Sequence, residues 1–199
     1  MTSANTSSVT AVLLAGGRGS RLGGQDKGLL LFKGQPLFFH LLEKLSSQAD
    51  EAIINANRHQ DTYAESGKTV FSDDLEDFQG PLAGILTALT RIHTNWLITL
   101  PCDGPYLPDD YVQRMLQSAL KSGTRIAVAR DSSRQQPVYL LLHRSLIDSL
   151  RSYLAEGQRK IDRWYSGLDA VEVDFSDCPN MFANANTMDD LDTLKLELP

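Results

Sequence analysis

Short runs of consecutive apolar residues alternate along this chain with stretches whose apolar positions recur every three or four residues. The runs TAVLLA (ending at Ala15), EAIINA, TVF, WLITLPCD, RIAVA and PVYLLLH read as strands, the fourth stopping at Pro101. Unbroken apolar runs of this length suit strands buried on both faces. Residues 36–47 read as a helix: Leu37, Leu41, Leu42 and Leu45 share a face, and Pro36 suits a first helical position. PLAGILTALTRI reads as another. In LPDDYVQRMLQSAL, Pro108 stands near the start and two aspartates complement the helix dipole. Val112, Met115, Leu116 and Ala119 form its stripe, and Gly123 ends it. Residues 145–155 predict a further helix, and TMDD resembles a capping box ahead of a last one carrying Leu191, Leu194 and Leu198.

Strands alternating with helices predict an α/β fold with a mostly parallel sheet covered on both faces. Ligands of such sheets bind outside the carboxyl ends of the strands, near a topological switch point. The informative residues fall there: a glycine loop after the first strand, Asn55 after the second, Asp73 after the third and Asp103 after the fourth. Residues 130–186 alternate less regularly and are expected to form the acceptor side of a cleft. With 199 residues and no repeat or linker, one domain over residues 9–199 is expected, residues 1–8 forming a frayed tail.

Composition narrows the classes. A hydrophobic content of 42% excludes a disordered chain, and a net charge of −6 argues against a general nucleic-acid binder while allowing a local basic pocket. The only two cysteines, Cys102 and Cys178, fit neither a disulfide scaffold nor a zinc pattern, so a cytoplasmic location is expected. The polar start lacks the layout of a signal peptide, and no apolar run approaches membrane-spanning length.

The stretch VLLAGGRGSRLGGQDKGLLLF, residues 12–32, carries the chemistry. Without a Cβ, backbone can approach an anion closely and present several N–H groups to it. A Walker A loop fails, because Lys27 follows Asp26 and precedes Gly28. A dinucleotide fingerprint fails too, because its sixth place, counted from Gly17 through Gly19, is Leu22. What remains, a long glycine loop with Arg21 and Lys27, fits a triphosphate, although glycines also serve simple turns. Asp103 closes an apolar strand in LPCDGPYLP. A carboxylate beside a triphosphate needs a cation between them, and magnesium uses one or two carboxylates plus phosphate oxygens. Capping of the following turn is the other reading of Asp103.

Together these features suggest nucleotidyl transfer, in which an acceptor oxygen attacks the α-phosphorus and pyrophosphate leaves. A phosphate monoester acceptor, with a second pKa of about 6, needs no general base. That suits a chain whose four histidines, His40, His59, His93 and His143, form no evident catalytic set.

The blocks LLAGGRGSRLGGQDKGLL, NANRHQ, DFQGPLAG, PCDGPYLP and FANANT, in this order between about residues 10 and 195, resemble the molybdenum cofactor guanylyltransferases, the MobA family. Sugar-phosphate nucleotidylyltransferases share a related opening but usually carry Pro-Lys where this chain has Asp26-Lys27. The resemblance implies a Rossmann-like nucleotidyltransferase fold of three α/β/α layers, Mg2+, and GTP and molybdenum-molybdopterin as substrates. It also implies that Leu14, Ala15, Gly16 and Gly17 hold the nucleotide through backbone groups. Arg21 and Lys27 would grip the triphosphate, and Asp103 would bind both nucleotide and metal. Asn55 and Asp73 would belong to the nucleotide pocket, Gly80–Gly84 would lie near the guanine, and Asn184 and Asn186 would face molybdopterin. Taken alone, Asn55 reads as a turn residue, Asp73 as one of a solvated acidic group, and the two late asparagines as helix caps. Leu22 stands where the family often has Met, and Gly104 where it often has Thr, a change expected to loosen the metal loop. Transient contacts with cofactor-biosynthesis proteins and molybdoenzymes are expected; membrane and nucleic-acid partners are not. The alternatives are a relative using CTP or a sugar-phosphate acceptor, and a non-catalytic carrier, against which the retention of both Lys27 and Asp103 counts.

Overall fold

Apolar runs and periodic stretches become a layered α/β structure in the computed structural model, which describes residues 7–15, 17, 26–75 and 79–183. In chain order the strands are β1 (Val9–Ala15), β2 (Leu31–Phe32), β3 (Gln35–Pro36), β4 (Glu51–Ala56), β5 (Val70–Phe71), β6 (Trp96–Pro101), β7 (Ile126–Arg130), β8 (Gln135–His143) and β9 (Ala170–Asp174). The helices are α1 (Leu37–Ser46), α2 (Gln60–Ala64), α3 (Pro81–Arg91), α4 (Tyr111–Ser122), α5 (Ile147–Ala155) and α6 (Ile161–Ser166).

Seven strands form one sheet in the order β5-β4-β1-β6-β8-β7-β9. Only β8 runs against the others, so the sheet is mostly parallel, as the alternation predicts. The chain moves from β1 outward through β4 to β5, then returns to the other side of β1 with β6. This reversal makes the carboxyl ends of β4, β1 and β6 the switch point. Alternation within β1 divides the core. Val9, Ala11 and Leu13 face the layer of α1 and α4, where Phe38, Leu41, Val112 and Met115 pack. Val12 faces the layer of α3, α5 and α6, with Leu82, Ile85, Leu150 and Trp164.

The ladder between β6 and β8 ends at Ile98, which pairs with Leu141. Beyond it the buried Thr99 hydroxyl takes over, donating to the Val138 carbonyl and accepting from the Leu140 amide at 3.1 Å. A side chain thus holds the two strands where direct backbone pairing stops, and Pro101 and Val138 both border the crevice.

Local outcomes refine the expectations. Ser8, expected in the frayed tail, accepts from Trp96 N at 3.1 Å and so pins the start of β1. The polar stretch 130–136 is a hairpin. Asp131 Oδ1 accepts from Ser133 N and Arg134 N at 2.7 and 2.8 Å, and these bonds, led by that from the Ser133 hydroxyl, hold its carboxyl well below the usual range. The strand expected at Pro137 therefore starts earlier, at Gln135. The helix expected near Leu191 lies outside the described residues. The less regular second half also contains α6 and β9, which no strong periodicity announced.

Candidate functional site

At the switch point a cavity of about 340 Å³ opens over the ends of β1, β4 and β6. Leu14, Ala15, Gly17, Asn55 and Asp73, five residues that the sequence separates by up to 59 positions, all line it. Gly80 and Pro81 line it as well. Gly80 has φ +84°, a conformation glycine adopts without strain, and Pro81 then starts α3. Within that helix Gly84 passes hard against the site. A Cβ there would lie 2.1 Å from Asn55 Oδ1 and 3.1 Å from Asp73 Oδ1.

Asp73 is held on both oxygens. Asn55 Nδ2 donates to Oδ1 at 2.9 Å, and Asn57 Nδ2 donates to Oδ2 at 2.9 Å. Asn55 is buried, so it is no mere surface turn residue. Among the described residues that line the cavity there is no histidine. His143 instead packs edge-on against Trp96, and burial together with Arg125 and Arg144 lowers its pKa.

Lys27 and Asp103 stand at the ends of the segments that follow β1 and β6. Lys27 Nζ donates to Asp103 Oδ2 at 3.0 Å. The other oxygen, Oδ1, is buried and has no hydrogen-bond partner. A buried carboxylate oxygen left in this way costs about 1–3 kcal/mol, more when charged, unless something accepts its charge. Among the described residues, no three His, Cys, Asp or Glu side chains cluster as a cage for a metal. A lone carboxylate with one free oxygen fits a divalent cation that takes its remaining ligands from phosphate and water. At Gly104 this loop packs closely: a Cβ there would lie 3.1 Å from the Ala183 carbonyl oxygen.

A further set of residues, invisible as a pattern in the sequence, fixes Lys27. Asp26 is buried and caps the short 3₁₀ turn Lys27–Leu29, its Oδ1 accepting from Gly28 N at 3.2 Å. The same oxygen accepts from the buried Tyr63 hydroxyl at 2.8 Å. Gly28 fits between Tyr63 and Cys102, since a Cβ there would be 2.5 Å from the Tyr63 oxygen and 3.2 Å from Cys102 Sγ. Burial, reinforced by Asp103, pushes the Cys102 thiol up and makes it an inert packing residue. Burial also raises the Tyr63 phenol, which stays a donor. Gly16, Arg21, Asn184 and Asn186 lie outside the described residues.

A mostly parallel sheet with Gly17, Asn55 and Asp73 lining a cavity at its switch point, and a Lys–Asp pair joining the segments that follow β1 and β6, defines the class of nucleotide-binding α/β domains. Residues 11–171 match the family described as "MobA-like NTP transferase domain". The chain is 46% identical to the molybdenum cofactor guanylyltransferase of Shewanella sediminis over 179 residues, 90% of this chain and 91% of the relative. Its fold resembles molybdopterin-guanine dinucleotide biosynthesis protein A from Archaeoglobus fulgidus, with a TM-score of 0.77 and 23% identity, covering 94% of this chain and 97% of the other. A Mycobacterium tuberculosis protein solved in complex with manganese matches with a TM-score of 0.72 and 20% identity, covering 96% and 98%. The chain belongs to the molybdenum cofactor guanylyltransferases of the MobA-like NTP transferase family.

Proposed function

We propose that this protein transfers GMP from GTP to the terminal phosphate of molybdenum-molybdopterin, giving the guanine dinucleotide form of the cofactor and pyrophosphate. The observation that carries this reading is Asp103, two residues beyond the cavity-lining Pro101: one oxygen on Lys27, the other buried without a partner. Leu14, Ala15, Gly16 and Gly17 supply backbone to the nucleotide, and Asn55 and Asp73 form the polar wall of its pocket. Lys27 and Arg21 bind the triphosphate. On binding, Lys27 exchanges its Asp103 partner for phosphate oxygens and neutralises charge that builds up as pyrophosphate departs. Asp103 would hold Mg2+, which would supply charge neutralisation at the phosphates. The manganese bound by the mycobacterial relative supports a divalent ion of this kind.

The reaction balances without a protein nucleophile. A phosphate oxygen of the acceptor forms a bond to the α-phosphorus as the bond to the bridging oxygen of pyrophosphate breaks. A dianionic acceptor has no proton to remove, in keeping with the lack of a histidine among the described residues that line the cavity. Asn184 and Asn186 are assigned to the molybdopterin side. The two free cysteines suit a cytoplasmic enzyme, and among the described residues no helix is long and apolar enough to cross a membrane. Substrate delivery and product hand-over through transient protein contacts complete the reading.

The test is a competition assay with Mg2+, molybdenum-molybdopterin and equal GTP, CTP, ATP and UTP, the product identified by mass. A guanine dinucleotide is expected. A cytosine dinucleotide would overturn the base assignment, and bound GTP without any dinucleotide would overturn catalysis.

A further inference from the structure

The block NANRHQ gives Asn55 to the nucleotide pocket, and the site described so far assigns the catalytic reading nothing else from it. Its other residues are placed to do more. Asn57 bonds Asp73 in two opposite senses: its Nδ2 donates to Oδ2 at 2.9 Å, and its Oδ1 accepts from the Asp73 backbone N–H at 2.8 Å. The two residues thereby close a ring that fixes both the main chain and the carboxylate of Asp73.

Asp73 needs such a brace. It lies two residues beyond β5, a strand of only two residues that pairs with β4 solely through Ile54–Val70 and Asn55–Phe71. So short an edge ladder cannot set the direction of a side chain beyond its end. The next residue reaches another lining residue of the cavity: Arg58 Nη2 donates to the Gly17 carbonyl at 2.7 Å. His59 then turns the chain away at φ +53°, a left-handed conformation uncommon outside glycine. Consecutive side chains of one bend thus hold two residues that line the cavity, Asp73 and Gly17. An ionised carboxylate offers about four acceptor sites. With Asn55 and Asn57 each taking one, the remainder can meet hydrogen-bond donors in the cavity that Asp73 lines. Guanine presents two adjacent donors, N1–H and the 2-amino group; hypoxanthine presents only the first.

We infer that Asn57 is a positioning residue for nucleotide selection: it aims the Asp73 carboxylate at the donor edge of guanine. This rests on the guanylyl-transfer reading but is tested without the acceptor. Binding of GTP and of ITP, which lacks the 2-amino group, is measured by calorimetry in the wild-type protein and in Asn57→Ala. The wild type is expected to prefer GTP. In Asn57→Ala, GTP affinity falls about tenfold, while ITP affinity falls less, so the GTP:ITP ratio shrinks toward one. A purely structural role would weaken both nucleotides equally; an unchanged ratio overturns the inference. If Asn57→Ala does not fold, Asn57→Asp, which keeps the acceptor but sets a carboxylate against Asp73, carries the same comparison. A wild-type protein that binds no GTP refutes the functional reading itself, whereas a GTP preference that survives the substitution refutes only the role of Asn57.

Discussion

Two aspartates on opposite sides of β1 make the working difference in this molecule. Asp73, beyond β5, has each carboxylate oxygen engaged by an asparagine amide, and its backbone N–H is engaged as well. Asp103, beyond β6, has one oxygen on a mobile type of partner, a lysine, and the other buried with none. Neutral amides fix a carboxylate as a permanent acceptor without cancelling its charge. A lysine that can leave, together with an unpartnered oxygen, keeps a carboxylate ready for a cation. In the proposed reading the same side chain serves recognition beyond β5 and charge handling beyond β6, and its partners decide which.

The largest effect expected from breaking this difference is at Asp103. Asp103→Asn keeps the size and removes the charge, so turnover should fall by about a thousandfold or more, the scale of losing a charge-stabilising group. The fold should tolerate it. The Lys27–Asp103 pair is mostly buried, at 28% and 18% exposure, but removing the charge also relieves the buried, unpartnered Oδ1, so the two effects offset. Initial rates over a Mg2+ titration, beside a thermal melt, check both halves. Near wild-type turnover in a well-folded variant would remove Asp103 from the charge-handling role.

A smaller effect is expected on the Asp73 side, through Gly84. A methyl group there would collide with Asn55 Oδ1, whose position at 2.1 Å from the added Cβ allows no accommodation without movement. Gly84→Ala should therefore displace Asn55, free one oxygen of Asp73 and weaken GTP binding roughly tenfold. Overpacking should also cost about 1–3 kcal/mol of stability. Nucleotide titration and chemical denaturation read the two effects separately. Unchanged GTP affinity would mean that Asn55 is not part of the nucleotide wall.

These two aspartates also mark what the chain discloses before folding. The central strands β1, β4 and β6 are mainly apolar runs, and α1, α3 and α4 carry clear stripes bounded by Pro or Gly, so their carboxyl-end loops could be placed side by side by topology alone. That brought Leu14, Ala15, Gly17, Asn55 and Asp73 to one cavity. The elements that escaped are short: α6 has six residues, α2 and β9 have five each, and β2 and β3 have two each. Asn57 escaped for a different reason, since its partner is 16 residues away and no periodicity joins them. One signal was available. Asn55 and Asn57 are two apart at a strand end, the spacing that puts side chains on one face.

Tyr63 offers the finest test, because it separates the placing of Lys27 from its charge. Its hydroxyl donates to Asp26 across 37 residues, tying the turn that carries Lys27 to α2, while its ring packs at 4.7 Å against Phe38. Tyr63→Phe keeps the ring and its packing but removes the donor. Asp26 Oδ1 then retains only the 3.2 Å bond from Gly28 N, and Oδ2 already has no partner. A buried carboxylate so deprived should lower stability by about 1–3 kcal/mol. Because Gly28 is wedged beneath the same hydroxyl, the turn gains room to shift, and Lys27 with it. The rate should fall several-fold while GTP affinity stays close to wild type, since the lysine charge remains but its aim is loosened. A change in stability alone, with kcat intact, would show that the Lys27–Asp103 side is held by its own ion pair and that Tyr63 only braces the core.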